Sequence, residues 1–205
     1  MSIYLYFCII MDGINDYCNS VISATVDSLL KGGVIVYPTD TIWGIGCDAT
    51  NSEAVQKIFS LKKREPDKSM LILCSDIKMV ERYVAPVDAT CRQILLESGC
   101  PTTLIMPLQC DVLARELVAT DNTIGVRIPQ MAFCQQLIAT LDRPLVSTSA
   151  NFSGCGSPSC FSDIDPRLID SADYCVPPSM DSGGVSRPSR IVKRMPDGSL
   201  LTIRK

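Results

Sequence analysis

Gly33-Val34-Ile35-Val36-Tyr37-Pro38-Thr39-Asp40-Thr41-Ile42-Trp43-Gly44-Ile45-Gly46 turns from an apolar, β-branched run into a polar loop. The run predicts a buried strand, and Pro38, which has no amide hydrogen to give a ladder, ends it. The loop offers hydroxyls at Thr39 and Thr41, a carboxylate at Asp40 and two closely spaced glycines. Ligands in open α/β sheets gather outside the carboxyl ends of strands, so this loop is a candidate binding edge. A plain strand-to-loop turn is the alternative.

Working outward, the apolar positions Val21, Ile22, Val26, Leu29 and Leu30 share one face of a helix predicted from Asp16 to Lys31. Gly32-Gly33 stop it. On the other side, Asn51 or Ser52 caps a helix from about Glu53 to Lys62, with Ala54, Val55, Ile58 and Leu61 inward. Met70–Cys74 reads as a second buried strand, followed by helices near Ile77–Val84 and Ala89–Glu97 and a strand at Thr103–Met106. A helix near Val112–Val118, a strand at Thr123–Pro129, a helix at Met131–Leu141 and a strand at Pro144–Val146 continue the alternation. Cys155 to Pro188 reads as loop with one helix near Pro166–Ser171, and Arg190–Arg204 as a hairpin turning at Asp197-Gly198. Alternating strands and helices imply an α/β fold with a partly parallel sheet. The 205 residues suit a single domain.

The chain is 46% hydrophobic and 20% charged, which supports a large core. Its net charge of −3 argues against wholesale nucleic-acid binding, although Ser186–Lys205 carries a net +5 that could meet phosphate or simply face solvent. The eleven cysteines are odd in number, scattered, and contain no C-x-x-C pair, so buried thiols in a reducing cytosol are expected. There is no histidine, which excludes Ser-His-Asp and Cys-His catalysis and histidine-ligated zinc. Met1 to Met11 is apolar but too short to span a membrane, and is expected to be an edge strand or an N-terminal extension. No later segment is long enough to cross a bilayer, so no membrane partner is expected.

Four polar groups stand out. They are Thr39-Asp40-Thr41; Lys62-x-Arg64 with Lys63 and Lys68; Ser147-Thr148-Ser149-x-Asn151; and Arg127, set in an otherwise apolar strand. Together they describe a site for an anion with polar detail, since Arg and Lys supply charge while Ser, Thr and Asn supply directed hydrogen bonds. Each group also has a structural reading. Lys62–Arg64 can be a solvated helix end, Ser147–Asn151 a self-bonded turn, and Arg127 the partner of a surface carboxylate. No Walker A loop or dinucleotide fingerprint is present.

In order and spacing, four blocks resemble the YrdC family of threonylcarbamoyl-AMP synthases. They are Tyr37–Ala49, Leu61-Lys62-x-Arg64, Gly125–Pro129 and Pro144–Gly154. The resemblance runs from about Gly32 to Val192 and suggests the short, single-domain form. It implies an open twisted mixed sheet flanked by helices, with a concave ligand cleft. It further implies an enzyme that makes threonylcarbamoyl-adenylate and pyrophosphate from ATP, L-threonine and bicarbonate with Mg²⁺. Cytoplasmic partner proteins would then carry the threonylcarbamoyl group to tRNA. By resemblance, Lys62, Arg64, Ser149 and Asn151 are the catalytic set, and Thr39, Thr41 and Arg127 hold threonine. Thr103, Ser147 and Ser189 join the catalytic four around the nucleotide, and no residue is assigned to a resident metal. Against the family pattern, Glu65 displaces the proline to Pro66, Cys74 stands where histidine is usual, Gly99-Cys100-Pro101 replaces Pro-Gly-Pro, and Ser189-Arg190 replaces Ser-Thr. The alternatives are a double-stranded-RNA-binding module, with the basic tail making a weak RNA contact, and a paralogue acting on a different carboxylate.

Overall fold

The structure, a computed structural model, describes residues 3–63, 70–97, 99–183 and 187–205, with side chains from residue 15 onward. Helix α1 (Ile3–Leu30) leads into β1 (Ile35–Tyr37), which ends where Pro38 removes the next donor. Helix α2 (Ser52–Lys62) is capped by Asn51, whose side chain accepts the amide of Ala54. Then follow β3 (Leu71–Leu73), α3 (Ile77–Tyr83), α4 (Ala89–Leu96), β4 (Thr102–Pro107), β5 (Thr123–Arg127), α5 (Ala132–Leu141) and β6 (Leu145–Ser149). Helix α6 (Pro166–Asp170), β7 (Tyr174–Cys175) and the hairpin of β8 (Arg190–Arg194) and β9 (Leu200–Arg204) complete the chain.

Four local expectations are corrected. Gly44–Gly46, read as loop, is the strand β2, paired antiparallel to both β1 and β6. Its glycine is the reason: a Cβ on Gly46 would lie 2.1 Å from the Val146 carbonyl oxygen, so only a bare backbone can approach β6 this closely. The apolar N-terminal stretch is not an edge strand, because from Ile3 it continues into α1. Val112–Val118 forms no α-helix and holds only a 3-10 turn at Arg115–Leu117. The amide of Ala114 is spent on the Ala49 carbonyl at 2.9 Å, which ties this segment to the β2–α2 connection. Finally, Leu30 faces outward while Val21, Ile22, Val26 and Leu29 are buried.

Among the described residues, nine strands form one mixed sheet in the order β7-β1-β2-β6-β3-β5-β4-β8-β9, with parallel pairs β1/β7, β3/β5 and β4/β8. Register sorts the side chains into two rows of opposite character, because successive residues on a strand point to opposite faces. Val146, Ile72, Val126, Leu104 and Val192 are direct cross-strand neighbours, all buried, and form part of the apolar core. One residue away, Ser147, Leu71, Gly125, Ile105 and Lys193 align on the other face. Gly44–Ser149 and Thr103–Ile191 extend that second row.

Candidate active site

The second row is the floor of a cleft of about 400 Å³. Gly125 keeps the floor low at its centre, where a Cβ would meet the Thr103 methyl at 3.1 Å and the Leu71 side chain at 3.4 Å. Seven of the ten site residues assigned by the resemblance line this one cleft: Thr39, Thr41, Thr103, Arg127, Ser147, Ser149 and Ser189. They come from the loop after β1, from β4, β5 and β6, and from the residue preceding β8, so the sheet register gathers positions up to 150 residues apart.

At one end, the loop after β1 folds onto β5. The Thr39 hydroxyl donates to the Ile42 carbonyl at 2.8 Å and accepts the Thr41 amide at 3.1 Å. Its only hydrogen being used, it takes the Thr41 hydroxyl as donor across 2.8 Å. Arg127 in turn gives Nη2 to the Thr41 oxygen at 3.3 Å, and Nη1 to Asp40 in an ion pair. Arg127 is 3% exposed, and its Nε is the single buried polar side-chain atom without a hydrogen-bond partner among the described residues. A buried donor left unmade is costly, and a substrate acceptor would satisfy it. The expectation that Arg127 meets a carboxylate of the protein is therefore met by Asp40, inside the site instead of at the surface.

The far end is polar as well. Thr103 and Ser189 share a hydrogen bond of 2.8 Å, and Arg204 gives Nε and Nη2 to the Ser189 carbonyl at 3.0 and 2.7 Å. Asp121 accepts the Thr123 hydroxyl at 2.6 Å and the Lys193 amine at 2.5 Å. Lys193 first and Thr123 next hold its carboxyl below the usual aspartate range. Asp121 and Thr123 line the cleft without having been anticipated, and so do Lys193 and Arg204 of the basic tail, for which contact with phosphate was one of two readings. The alternation Thr123-x-Gly125-x-Arg127 was the available signal for the first two, while charge alone marks the hairpin residues.

Lys62 and Asn151 stand behind Ser149. Lys62 is 1% exposed, and its Nζ donates to the carbonyls of Ser149 and Asn151, the latter at 2.6 Å, and to Asn151 Oδ1 at 3.3 Å. Ser149 Oγ donates to the same Oδ1 at 2.5 Å, and the Ala150 amide reaches the Trp43 carbonyl at 2.9 Å. The Ser-x-Asn turn is thus held by α2 on one side and by the loop after β1 on the other. Arg64, with Glu65 and Lys68, lies outside the described residues.

Two other expectations change. Half of the six basic residues of the tail are offset: Arg190 pairs with Glu97 at 2.9 Å, Lys193 with Asp121 at 2.5 Å and Arg194 with Asp88 at 2.5 Å. Cys74 is fully buried, its amide bonded to the Arg127 carbonyl at 3.0 Å, and it does not line the cleft. Burial raises its thiol pKa well above the usual range, as it does for Cys47 and Cys134. Among the described residues no group of three or more cysteines or carboxylates is placed to hold a metal ion.

A mixed sheet with a hydroxyl-lined cleft, a buried arginine at one end and fixed cations at the other defines a binding fold for a polar, anionic small molecule. Residues 27–205 match the Sua5/YciO/YrdC family model, described as telomere recombination, and the chain belongs to that family. It is 34% identical over 170 residues to the threonylcarbamoyl-AMP synthase of Idiomarina loihiensis, covering 80% of this chain and 89% of that one. To the synthase of Chromohalobacter salexigens it is 33% identical over 180 residues, covering 83% and 90%. Among solved structures, E. coli YciO superposes with a TM-score of 0.75 at 25% identity, covering 92% of this chain and 89% of that one. P. abyssi Sua5 complexed with L-threonine superposes with a TM-score of 0.78 at 23% identity, covering 89% of this chain. The chain spans about half the length of that Sua5, 53% of it.

Proposed function

We infer that this chain is a threonylcarbamoyl-AMP synthase, a nucleotidyltransferase that joins L-threonine, bicarbonate and ATP. What supports the reading most is the meeting, in one cleft, of Arg127 with its unmatched buried donor and a row of hydroxyls running to Ser189. The relatives named as threonylcarbamoyl-AMP synthases supply the reaction class.

The threonine carboxylate takes the Arg127 end beside Thr39 and Thr41. The nucleotide lies along Ser147, Ser149, Thr103 and Ser189, with Lys193 and Arg204 beyond. Threonine's amino nitrogen bonds to the bicarbonate carbon with loss of water, giving a carbamate. A carbamate oxygen then attacks the α-phosphorus, the bond to the β-phosphate oxygen breaks, and pyrophosphate leaves with that electron pair. No covalent bond to the protein is needed, which suits a chain without histidine. The residues contribute alignment and fixed dipoles. Ser149, held by its turn, presents a hydroxyl at the floor, and Lys62 keeps that turn in place. Mg²⁺ enters with ATP as part of the substrate, since no resident site is needed for it, and Arg64 contributes charge to the phosphates. The product passes to proteins that transfer the threonylcarbamoyl group to tRNA in the cytoplasm.

The RNA-binding reading is weakened by the three ion pairs that offset half of the tail's basic residues, and the changed-substrate reading by the position of Cys74 outside the cleft. The test is pyrophosphate release with each substrate omitted singly. Release that needs both threonine and bicarbonate, with the Michaelis constant for threonine raised in Arg127→Gln, supports the inference. Release without threonine, or none at all, overturns it.

A further inference from the structure

Asp40 is the carboxylate at the centre of the loop that opens the cleft. One oxygen forms the ion pair with Arg127 Nη1, and the other accepts the amide of Gln130 at 2.9 Å. Its side chain is 11% exposed and that of Arg127 3%, so the pair is shielded from bulk water. Arg127 spends Nη1 on Asp40 and Nη2 on Thr41, which leaves Nε as its unmatched donor. Gln130 lies three residues beyond Arg127, just after β5, so Asp40 also ties the cleft-opening loop to the strand that carries the arginine.

This geometry has an electrostatic consequence. A lone buried arginine attracts any small anion, whereas one already paired with a carboxylate presents little net charge to the cleft. Asp40 does not itself line the cleft, so it acts through Arg127 and through its field: a net anion meets its negative charge, whereas an amino acid carries an ammonium that offsets it. Rejection of anions that lack an amine follows from the repulsive element, Asp40, and not from any added attraction.

We propose that Asp40 is a positioning and charge-masking residue that makes the Arg127 end of the cleft select amino acids over simple carboxylates. The proposal rests on the reading of Arg127 as the holder of the amino-acid carboxylate. The substitution Asp40→Asn keeps an acceptor for the Gln130 amide and removes the negative charge, so the fold is retained while the mask is lost.

The first readout needs no turnover. Binding of 3-hydroxybutyrate, which keeps the carboxylate and hydroxyl of threonine but lacks the amine, is measured calorimetrically for wild type, Asp40→Asn, Asp40→Glu and the double variant Asp40→Asn/Arg127→Gln. The expected result is affinity at least about tenfold tighter in Asp40→Asn than in wild type. Asp40→Glu, which keeps the charge, stays near wild type, and the double variant loses the gain. The second readout is kinetic: in Asp40→Asn the Michaelis constant for threonine rises relative to the inhibition constant of 3-hydroxybutyrate, while that for ATP is unchanged.

A purely structural role would lower the melting temperature and disturb both substrates without creating affinity for the amine-free acid. No gain of that affinity in a folded Asp40→Asn protein overturns the proposal, as does a gain that persists in the double variant. If the anion affinity appears as expected but no threonine-dependent turnover exists in wild type, the masking role stands and the proposed reaction fails.

Discussion

Replacing Lys62 with methionine separates two roles a buried lysine can have beside a nucleotide. Methionine keeps an unbranched stem of similar length and removes the charge and the donors. The structure gives those donors to the carbonyls of Ser149 and Asn151 and to Asn151 Oδ1. Oδ1 keeps a donor in Ser149 Oγ and the Ser149 carbonyl keeps the Asn151 amide at 2.8 Å, so the Asn151 carbonyl bears most of the loss. A buried acceptor left unpaired costs about 1–3 kcal/mol, and this one is only partly buried, so roughly 1–2 kcal/mol is expected. In a chain of 205 residues each kcal/mol moves the melting temperature by about 2–4 °C, which puts the fall at roughly 2–8 °C. Thermal unfolding followed by circular dichroism reads this directly. Hydrogen exchange at the Ala150 amide, bonded to the Trp43 carbonyl, reports whether the turn itself has loosened. Activity should fall with the loss of protection at Ala150. An unchanged melting temperature and unchanged exchange, with turnover abolished, would refute the reasoning and make Lys62 a direct phosphate contact.

Further expectations follow from single positions. Gly46→Ala forces a Cβ to 2.1 Å from a backbone oxygen that cannot swing aside, so a loss of about 3 kcal/mol or more is expected as a lower urea midpoint at unchanged m-value. The Asp121 carboxyl is held below its ordinary range by Lys193 and Thr123, so its stabilisation is present above the usual aspartate value of about 4 and is lost as pH falls through the lowered one. Asp121→Asn should therefore lower the melting temperature slightly at neutral pH, and the two proteins should converge in acid; a constant gap across the pH range would contradict this. Alkylation near neutral pH should modify the exposed Cys155 and Cys160 and spare Cys47, Cys74 and Cys134 until the chain unfolds, with peptide mass spectrometry as the readout. Cys91, whose thiol pKa is pushed up to about 11 by burial and then Asp88, should also be spared.

Much of this was legible because its causes are local. Pro38 ends β1 by chemistry that needs no partner strand, and Asn51 caps α2 within three residues. The hydroxyl clusters at Thr39–Thr41 and Ser147–Ser149 sit beside or within strands whose periodicity marks them. What was hidden depends on pairing. Gly44–Gly46 sets a single β-branched residue, Ile45, between two glycines, and becomes a strand only because β1 and β6 flank it. Lys193 and Arg204 read as part of a basic run facing phosphate or solvent, and enter the site because β8 lies beside β4 and β9 beside β8. Lys62 was read either as part of a charged clamp or as a solvated helix end, and its burial against the turn after β6, a tertiary contact, excludes the second. The N-terminal apolar run looked like a strand by composition, and its continuity with α1 decided otherwise.

The central claim is that this cleft joins threonine, bicarbonate and ATP. Its most direct test is mass spectrometry of the purified protein after incubation with ATP, Mg²⁺, L-threonine and carbon-13 bicarbonate. The expected result is a threonylcarbamoyl-AMP peak one mass unit heavier than with unlabelled bicarbonate, and absent when threonine is omitted. ATP bound by the protein with no labelled adduct formed would contradict it.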